Sequence, residues 1–126
     1  MNEELINNLP PDAKKEFIKY LKESIVEFFG ETPMNSKDYG KIINDKHYNR
    51  LTNLLDGETV AYGGHQDDEL QKISPTILDD VTQESKVMQE EIFGPILPLI
   101  TFNNLDDVIT QINDNPTPLA LYLFTE

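Results

Sequence analysis

Val87-Met88-Gln89-Glu90-Glu91-Ile92-Phe93-Gly94-Pro95-Ile96-Leu97-Pro98 is the most informative run of this chain. Polar and acidic residues from Gln89 to Glu91 give way to Ile92-Phe93, the chain turns at Gly94-Pro95, and Ile96 to Phe102 continues as an apolar strand. Proline offers no amide hydrogen to a ladder, so Pro98 puts this strand at a sheet edge or a bend. Taken as residue types alone, Glu91 reads as a surface carboxylate and Phe93 as a core aromatic.

Upstream, Ile73 to Leu78 reads as a strand interrupted by Pro75 and ended by Asp79-Asp80, and Thr82 or Ser85 caps a short turn toward Val87 and Met88. Thr59-Val60-Ala61-Tyr62 is another short strand, followed by a Gly63-Gly64 turn and a polar surface turn from His65 to Gln71. Near the N-terminus, Phe17, Leu21, Ile25 and Phe28 recur at helical spacing between Asp12 and Phe29, with Gly30 as the stop. After a loop from Glu31 to Gly40, a second helix places Ile43, His47, Leu51, Leu54 and Leu55 on one side and ends at Asp56-Gly57. Downstream, Asn104 caps a third helix whose buried side is Leu105, Val108, Ile109 and Ile112, and Leu119 to Phe124 forms the last strand. The order is helix, helix, strand, strand, strand, helix, strand, an α/β arrangement. No strand precedes the first helix and nothing closes the last strand, so both ends read as cut.

The 126 residues make one domain at most, with a polar lead over residues 1–11 and the folded portion over residues 12–126. Ten basic residues stand against 23 acidic ones, a net charge of -13 that disfavours nucleic acid and anionic membrane as partners. The charge is uneven: residues 1–58 carry eight basic and eleven acidic groups, residues 59–126 two and twelve. A solvated acidic face explains this, and a surface that lies against a basic neighbour is the alternative. No apolar run is long enough to span a membrane and no secretory leader is visible, so the expected location is cytoplasmic. His47 reads as a structural histidine, since no nucleophile accompanies it. His65 with Asp67, Asp68 and Glu69 fits no metal-ligand spacing and reads as a solvated loop.

The run from Val87 to Pro98 resembles a signature stretch of the NAD(P)-dependent aldehyde dehydrogenase superfamily. Phe28-Phe29-Gly30, Asp38-Tyr39-Gly40-Lys41-Ile42-Ile43-Asn44, Gly63-Gly64, Ser74-Pro75-Thr76-Ile77-Leu78 and Pro118-Leu119-Ala120-Leu121-Tyr122-Leu123-Phe124 resemble other pieces of that family in the same order. The pattern is most like the branch that handles fatty and aromatic aldehydes. This resemblance implies an incomplete three-layer catalytic domain with a mostly parallel sheet. It also implies that Glu91 hydrogen-bonds the nicotinamide ribose hydroxyls and that Phe93 packs near the nicotinamide. A carboxylate offers two acceptor oxygens to a vicinal diol, and an aromatic ring supplies a rigid apolar wall.

In the intact family enzymes a cysteine thiolate attacks the aldehyde, hydride leaves for the nicotinamide, and water releases the acid. This chain contains no Cys, and neither the family's general-base glutamate nor a Gly-rich phosphate loop is present. The expectation is therefore a truncated portion of the catalytic domain, without catalytic or metal-ligating residues of its own. It would be inactive alone and would bind neither NAD nor NADP unaided. The expected partners are a complementary dehydrogenase fragment or further copies of the chain. The alternative reading is a non-catalytic, self-associating interaction protein that reuses the fragment.

Overall fold

A computed structural model describes residues 8–125. Strand β1 (Asn8–Leu9) leads into helix α1 (Pro11–Phe29), where Pro11 presets the first helical turn and loses no hydrogen bond that the turn needs. The helix ends at Gly30, whose φ of 80° is open to glycine and whose N–H donates to the Val26 carbonyl at 2.8 Å. Phe17, Ile18, Leu21 and Ile25 lie against a small cluster of Leu9, Ile77 and Leu99. Phe28 departs from expectation: it is 71% exposed, because the apolar layer under α1 ends near Ile25 and only the last helical turn runs on. The strand β1 is also a departure, since Asn8 and Leu9 fall within the expected polar lead and give α1 a preceding strand. The remainder of that lead, residues 1–7, lies outside the described residues.

Helix α2 (Asp45–Leu55) starts where the Asn44 side chain accepts the His47 N–H at 2.9 Å. Its buried face is Tyr48, Leu51, Leu54 and Leu55. Ile43, expected on that face, precedes the helix and is 82% exposed; His47 is half-buried beside it. Tyr48 takes the inward position because its ring packs in the core while its hydroxyl donates to Asp68 at 2.7 Å. Burial, reinforced by that hydrogen bond and by the charges of Asp68 and Asp67, raises the Tyr48 phenol to about 12.

The strands that follow are β2 (Thr59–Tyr62), β3 (Gln66–Asp67), β4 (Lys72–Ile73), β5 (Thr76–Asp79), β6 (Ile96–Pro98) and β7 (Ile100–Thr101). The segment expected as a simple surface turn, residues 65–71, contains β3 and closes a hairpin with β4. A three-stranded sheet has the order β2-β5-β6, and β1 pairs separately with β7. The expectation of a mostly parallel sheet is corrected here: β5–β6 and β1–β7 are parallel, but β2–β5 and β3–β4 are antiparallel. The physical reason is connection type. β2 returns to β5 through a hairpin, which suits antiparallel pairing, whereas β5 reaches β6 by a longer crossover containing a 3₁₀ turn (Lys86–Met88). Pro98 does fall on an edge strand, at the point where the chain changes partner. Leu99 N–H still donates to Leu78 of β5, while Phe102 N–H donates to Leu9 of β1.

Helix α3 (Leu105–Asp114) is capped by Asn104, which accepts the Asp106 N–H at 2.9 Å, and Asp106 and Asp107 favour its N-terminus. Of its expected buried side only Val108 is buried; Leu105 and Ile109 are exposed. Leu119 to Phe124 forms no ladder, and Leu119, Leu121, Tyr122, Leu123 and Phe124 are all exposed, so the expected last strand is absent. Strand propensity alone does not order a segment without a neighbouring strand to share hydrogen bonds.

Lys14 ties α1 to the end of β5: it donates to Asp79 at 2.8 Å and stands 3.8 Å from the Asp80 carboxylate. The hydrogen bond to Asp79 raises the Lys14 ammonium against the opposing effect of burial. Burial alone would raise Asp79, but the Lys14 hydrogen bond, the Asp80 N–H and the Lys14 charge outweigh it and hold the carboxyl low. The pair therefore stabilises fully above the unfolded carboxyl value of about 4 and is lost as pH falls through the lowered folded value. At the alkaline end it persists past about 10.4 and is lost as pH rises through the raised Lys14 value. Lys14→Met is expected to cost about 0.5–1 kcal/mol at neutral pH. Urea melts at neutral and acid pH check it; the deficit should shrink once Asp79 is protonated.

Candidate functional site

The run around Glu91 is held by apolar anchors at Val87, on the 3₁₀ turn, and at Ile92, both buried. Between and beyond them the backbone is gripped from α2. Arg50 donates to the Glu90 carboxylate at 3.4 Å, to the Glu91 carbonyl at 3.4 Å and to the Ile92 carbonyl at 2.7 Å. The next residue of the helix, Leu51, lies so close to Gly94 that a Cβ there would stand 2.6 Å from Leu51 Cδ2. A side chain at position 94 would therefore force the Leu51 methyl groups to shift.

Between these two restraints Phe93 adopts φ of 46°, a left-handed conformation unfavourable for a residue with a side chain. Phe93 is 76% exposed, which overturns its reading as a core aromatic. Glu91 is half-buried. Phe93 borders a groove of about 310 Å³ between Leu21 and Ile25 of α1, the strand residues Ile77 and Leu97, and Ile92 of the preceding loop. An outward aromatic beside an apolar groove, with a carboxylate two residues away, suits a planar ligand that carries hydroxyl groups.

Gly63-Gly64, expected only as a turn, does more. Gly63 has φ of 81° and lies flat against the Ser74-Pro75-Thr76 backbone, where a Cβ would fall 2.0 Å from the Pro75 carbonyl oxygen. Gly64 N–H donates to Thr76 Oγ1 and His65 N–H to Ser74 Oγ, each at 3.0 Å, while Ser74 N–H donates to the His65 carbonyl at 2.9 Å. These bonds satisfy the buried Ser74 and Thr76 hydroxyls. They also set the start of β5, where Thr76 N–H donates to the Pro95 carbonyl at the end of the candidate site.

The other expected positions lie elsewhere. His47 contributes its backbone N–H to the α2 cap, and His65 is exposed. Asp67 accepts the Leu70 N–H and Asp68 the Tyr48 hydroxyl. Among the described residues no group of three or more His, Asp or Glu is placed to hold a metal ion, and no helix is long and apolar enough to cross a membrane. Sequence reasoning missed Arg50 and Leu51 as supports of the site. Helical spacing places Leu51 inward, but nothing local indicates which distant backbone the two residues meet.

The chain is 49% identical over 116 residues to 4,4'-diaponeurosporen-aldehyde dehydrogenase of Staphylococcus aureus, covering 90% of this chain and 25% of that protein. It is 48% identical over 115 residues to the dimeric NADP-preferring aldehyde dehydrogenase of Mus musculus, covering 91% and 25%. The structure of the substrate-bound state of Staphylococcus aureus AldH matches with a TM-score of 0.90 at 46% identity, over 95% of this chain and 27% of that one. The chain thus spans about a quarter of the length of these relatives, and its fold is an incomplete α/β portion of theirs. The aldehyde dehydrogenase family profile matches residues 9–126, and with these identities the chain belongs to the aldehyde dehydrogenase family.

Proposed function

We propose that this chain supplies the nicotinamide-facing part of the catalytic domain of an NAD(P)-dependent enzyme that oxidises aldehydes to carboxylic acids. The observation that carries the reading is Phe93, an exposed aromatic held in a left-handed conformation beside an apolar groove. Backbone strain of this kind costs about 1–3 kcal/mol and persists where its surroundings over-determine it, commonly at ligand sites. In this reading the Phe93 ring walls the nicotinamide end, and the Glu91 carboxylate accepts hydrogen bonds from the ribose hydroxyls. The bound dinucleotide supplies the hydride acceptor; the chain's own residues orient it and exclude water. The thiolate nucleophile comes from sequence outside this chain, which has no Cys. The relative from Staphylococcus aureus is named for 4,4'-diaponeurosporen aldehyde, which supports an apolar aldehyde as the substrate class. The exposed side chains of Leu105, Ile109 and Leu119 to Phe124 are the surface that complementary dehydrogenase sequence would cover.

The test is a chimera in which residues 9–125 replace the homologous segment of the Staphylococcus aureus relative. NAD(P)H production from aldehyde is expected, with none from the 126-residue chain alone. Glu91→Gln in the chimera should lower kcat/KM by about tenfold to a hundredfold, the worth of a hydrogen bond to a charged group. Unchanged kinetics in Glu91→Gln, or turnover by the purified chain alone, would count against the proposal.

A further inference from the structure

We infer that Arg50 is a positioning residue that sets the direction of Phe93 and Glu91 by gripping their backbone. Its three acceptors are unequal. The bond to Glu90 Oε1 is 3.4 Å with the Glu90 side chain half in solvent, and an ion pair of that kind contributes little. The short bond, 2.7 Å, goes to the Ile92 carbonyl, and a further bond of 3.4 Å goes to the Glu91 carbonyl. Both acceptors are main-chain oxygens, and a guanidinium presents its donors in a planar fork that can engage two of them together.

The Ile92 carbonyl belongs to the peptide plane that enters Phe93, so holding that oxygen fixes the orientation of the Phe93 N–H. On the far side, Gly94 is pressed against Leu51. Arg50 and Leu51 are consecutive on α2, so one rigid helix clamps the chain before and after Phe93. With both flanks held, φ of 46° at Phe93 is the conformation left to the residue, and the ring turns outward. Holding the Glu91 carbonyl in the same way limits the backbone rotation that would swing its carboxylate. Arg50 touches neither substrate nor cofactor in this scheme; it acts through the peptide bonds. The consequence for cofactor binding rests on the reading of Glu91 and Phe93 given above, whereas the conformational claim does not.

The experiment is solution NMR on the 126-residue chain. In Arg50→Met the HN–Hα coupling and NOE pattern of Phe93 should lose their left-handed signature. The backbone chemical shifts of Ile92, Phe93 and Gly94 should move with it, since the Ile92 carbonyl loses its 2.7 Å donor. Arg50→Lys, which keeps one charge-assisted donor, should restore part of the left-handed signature and decides the question if Arg50→Met fails to fold. Glu90→Gln, which spares the carbonyl bonds, should leave Phe93 as in the parent. Parent-like Phe93 signals in folded Arg50→Met or, where that variant does not fold, full parent-like signals in Arg50→Lys would overturn the inference. So would an equal disturbance in Glu90→Gln. In the chimera, Arg50→Met should raise KM for the dinucleotide with a smaller change in the aldehyde KM. If Glu91→Gln is silent there while the NMR result holds, the cofactor reading fails and the positioning role stands.

Discussion

Gly63→Ala is expected to destabilise the fold by about 3–5 kcal/mol, a large share of the 5–15 kcal/mol that holds a domain together. Two costs add. A residue with a Cβ at φ of 81° meets the left-handed penalty of about 1–2 kcal/mol. The new Cβ would then lie 2.0 Å from the Pro75 carbonyl oxygen, 3.0 Å from its carbon and 3.1 Å from Thr76 Cα, all backbone atoms that cannot swing aside. Relief requires the two segments to separate. That stretches the bonds from Gly64 N–H to Thr76 Oγ1 and from His65 N–H to Ser74 Oγ, leaving buried hydroxyls short of partners at about 1–3 kcal/mol. Gly57→Ala is the control, because Gly57 has φ of 84° but no atom within 4 Å of the added Cβ. Chemical denaturation of both variants separates strain from collision; equal losses would refute the close-approach argument.

Leu51→Ala is expected to cost about 2–5 kcal/mol, since its side chain is fully buried and the cavity can relax only in part. It sits in the cluster of Tyr48, Ile73, Leu78, Val87, Ile92 and Ile96, which joins α2 to the sheet and to the candidate site. The test with most leverage is its coupling to Gly94. Gly94→Ala alone forces a Cβ to within 2.6 and 2.7 Å of the Leu51 methyl groups and should cost about 1–3 kcal/mol, because a flexible side-chain end must move. Once Leu51 is Ala, those methyl groups are gone. The double variant should therefore be more stable than the sum of the single losses predicts, by about 1–2 kcal/mol. Additivity to within about 0.5 kcal/mol in a double-mutant cycle would show that Gly94 is not held by Leu51.

The parts legible in the sequence share a feature: their signals are local. Phe17, Leu21 and Ile25 mark the inner side of α1 because helical spacing repeats within the segment itself. Gly30 ends that helix and Asn104 starts α3 through geometry spanning one turn. The strand Thr59–Tyr62 stands between turn residues and was readable for the same reason. Expectation and structure part where burial depends on what lies opposite. Phe28, Leu105 and Ile109 continue apolar stripes yet remain exposed, and Leu119 to Phe124 has strand composition with no ladder partner among the described residues.

The candidate site divides along the same line. Family resemblance singled out Glu91 and Phe93, and composition showed that the chain carries no cysteine. Residue types alone placed Phe93 in the core, and they could not do otherwise, because its outward direction depends on Arg50 and Leu51 some forty positions earlier. The sequence by itself therefore determined the three helices, the Gly30 and Asn104 ends, the family and the absence of cysteine, through local hydrogen bonding, periodicity, motif and composition. Only the tertiary structure decided the mixed strand directions, the Gly63 contact with Pro75 and the backbone clamp around Phe93. Each is a close approach between distant segments, and short-range sterics and directional hydrogen bonds act only once the fold has brought those segments together.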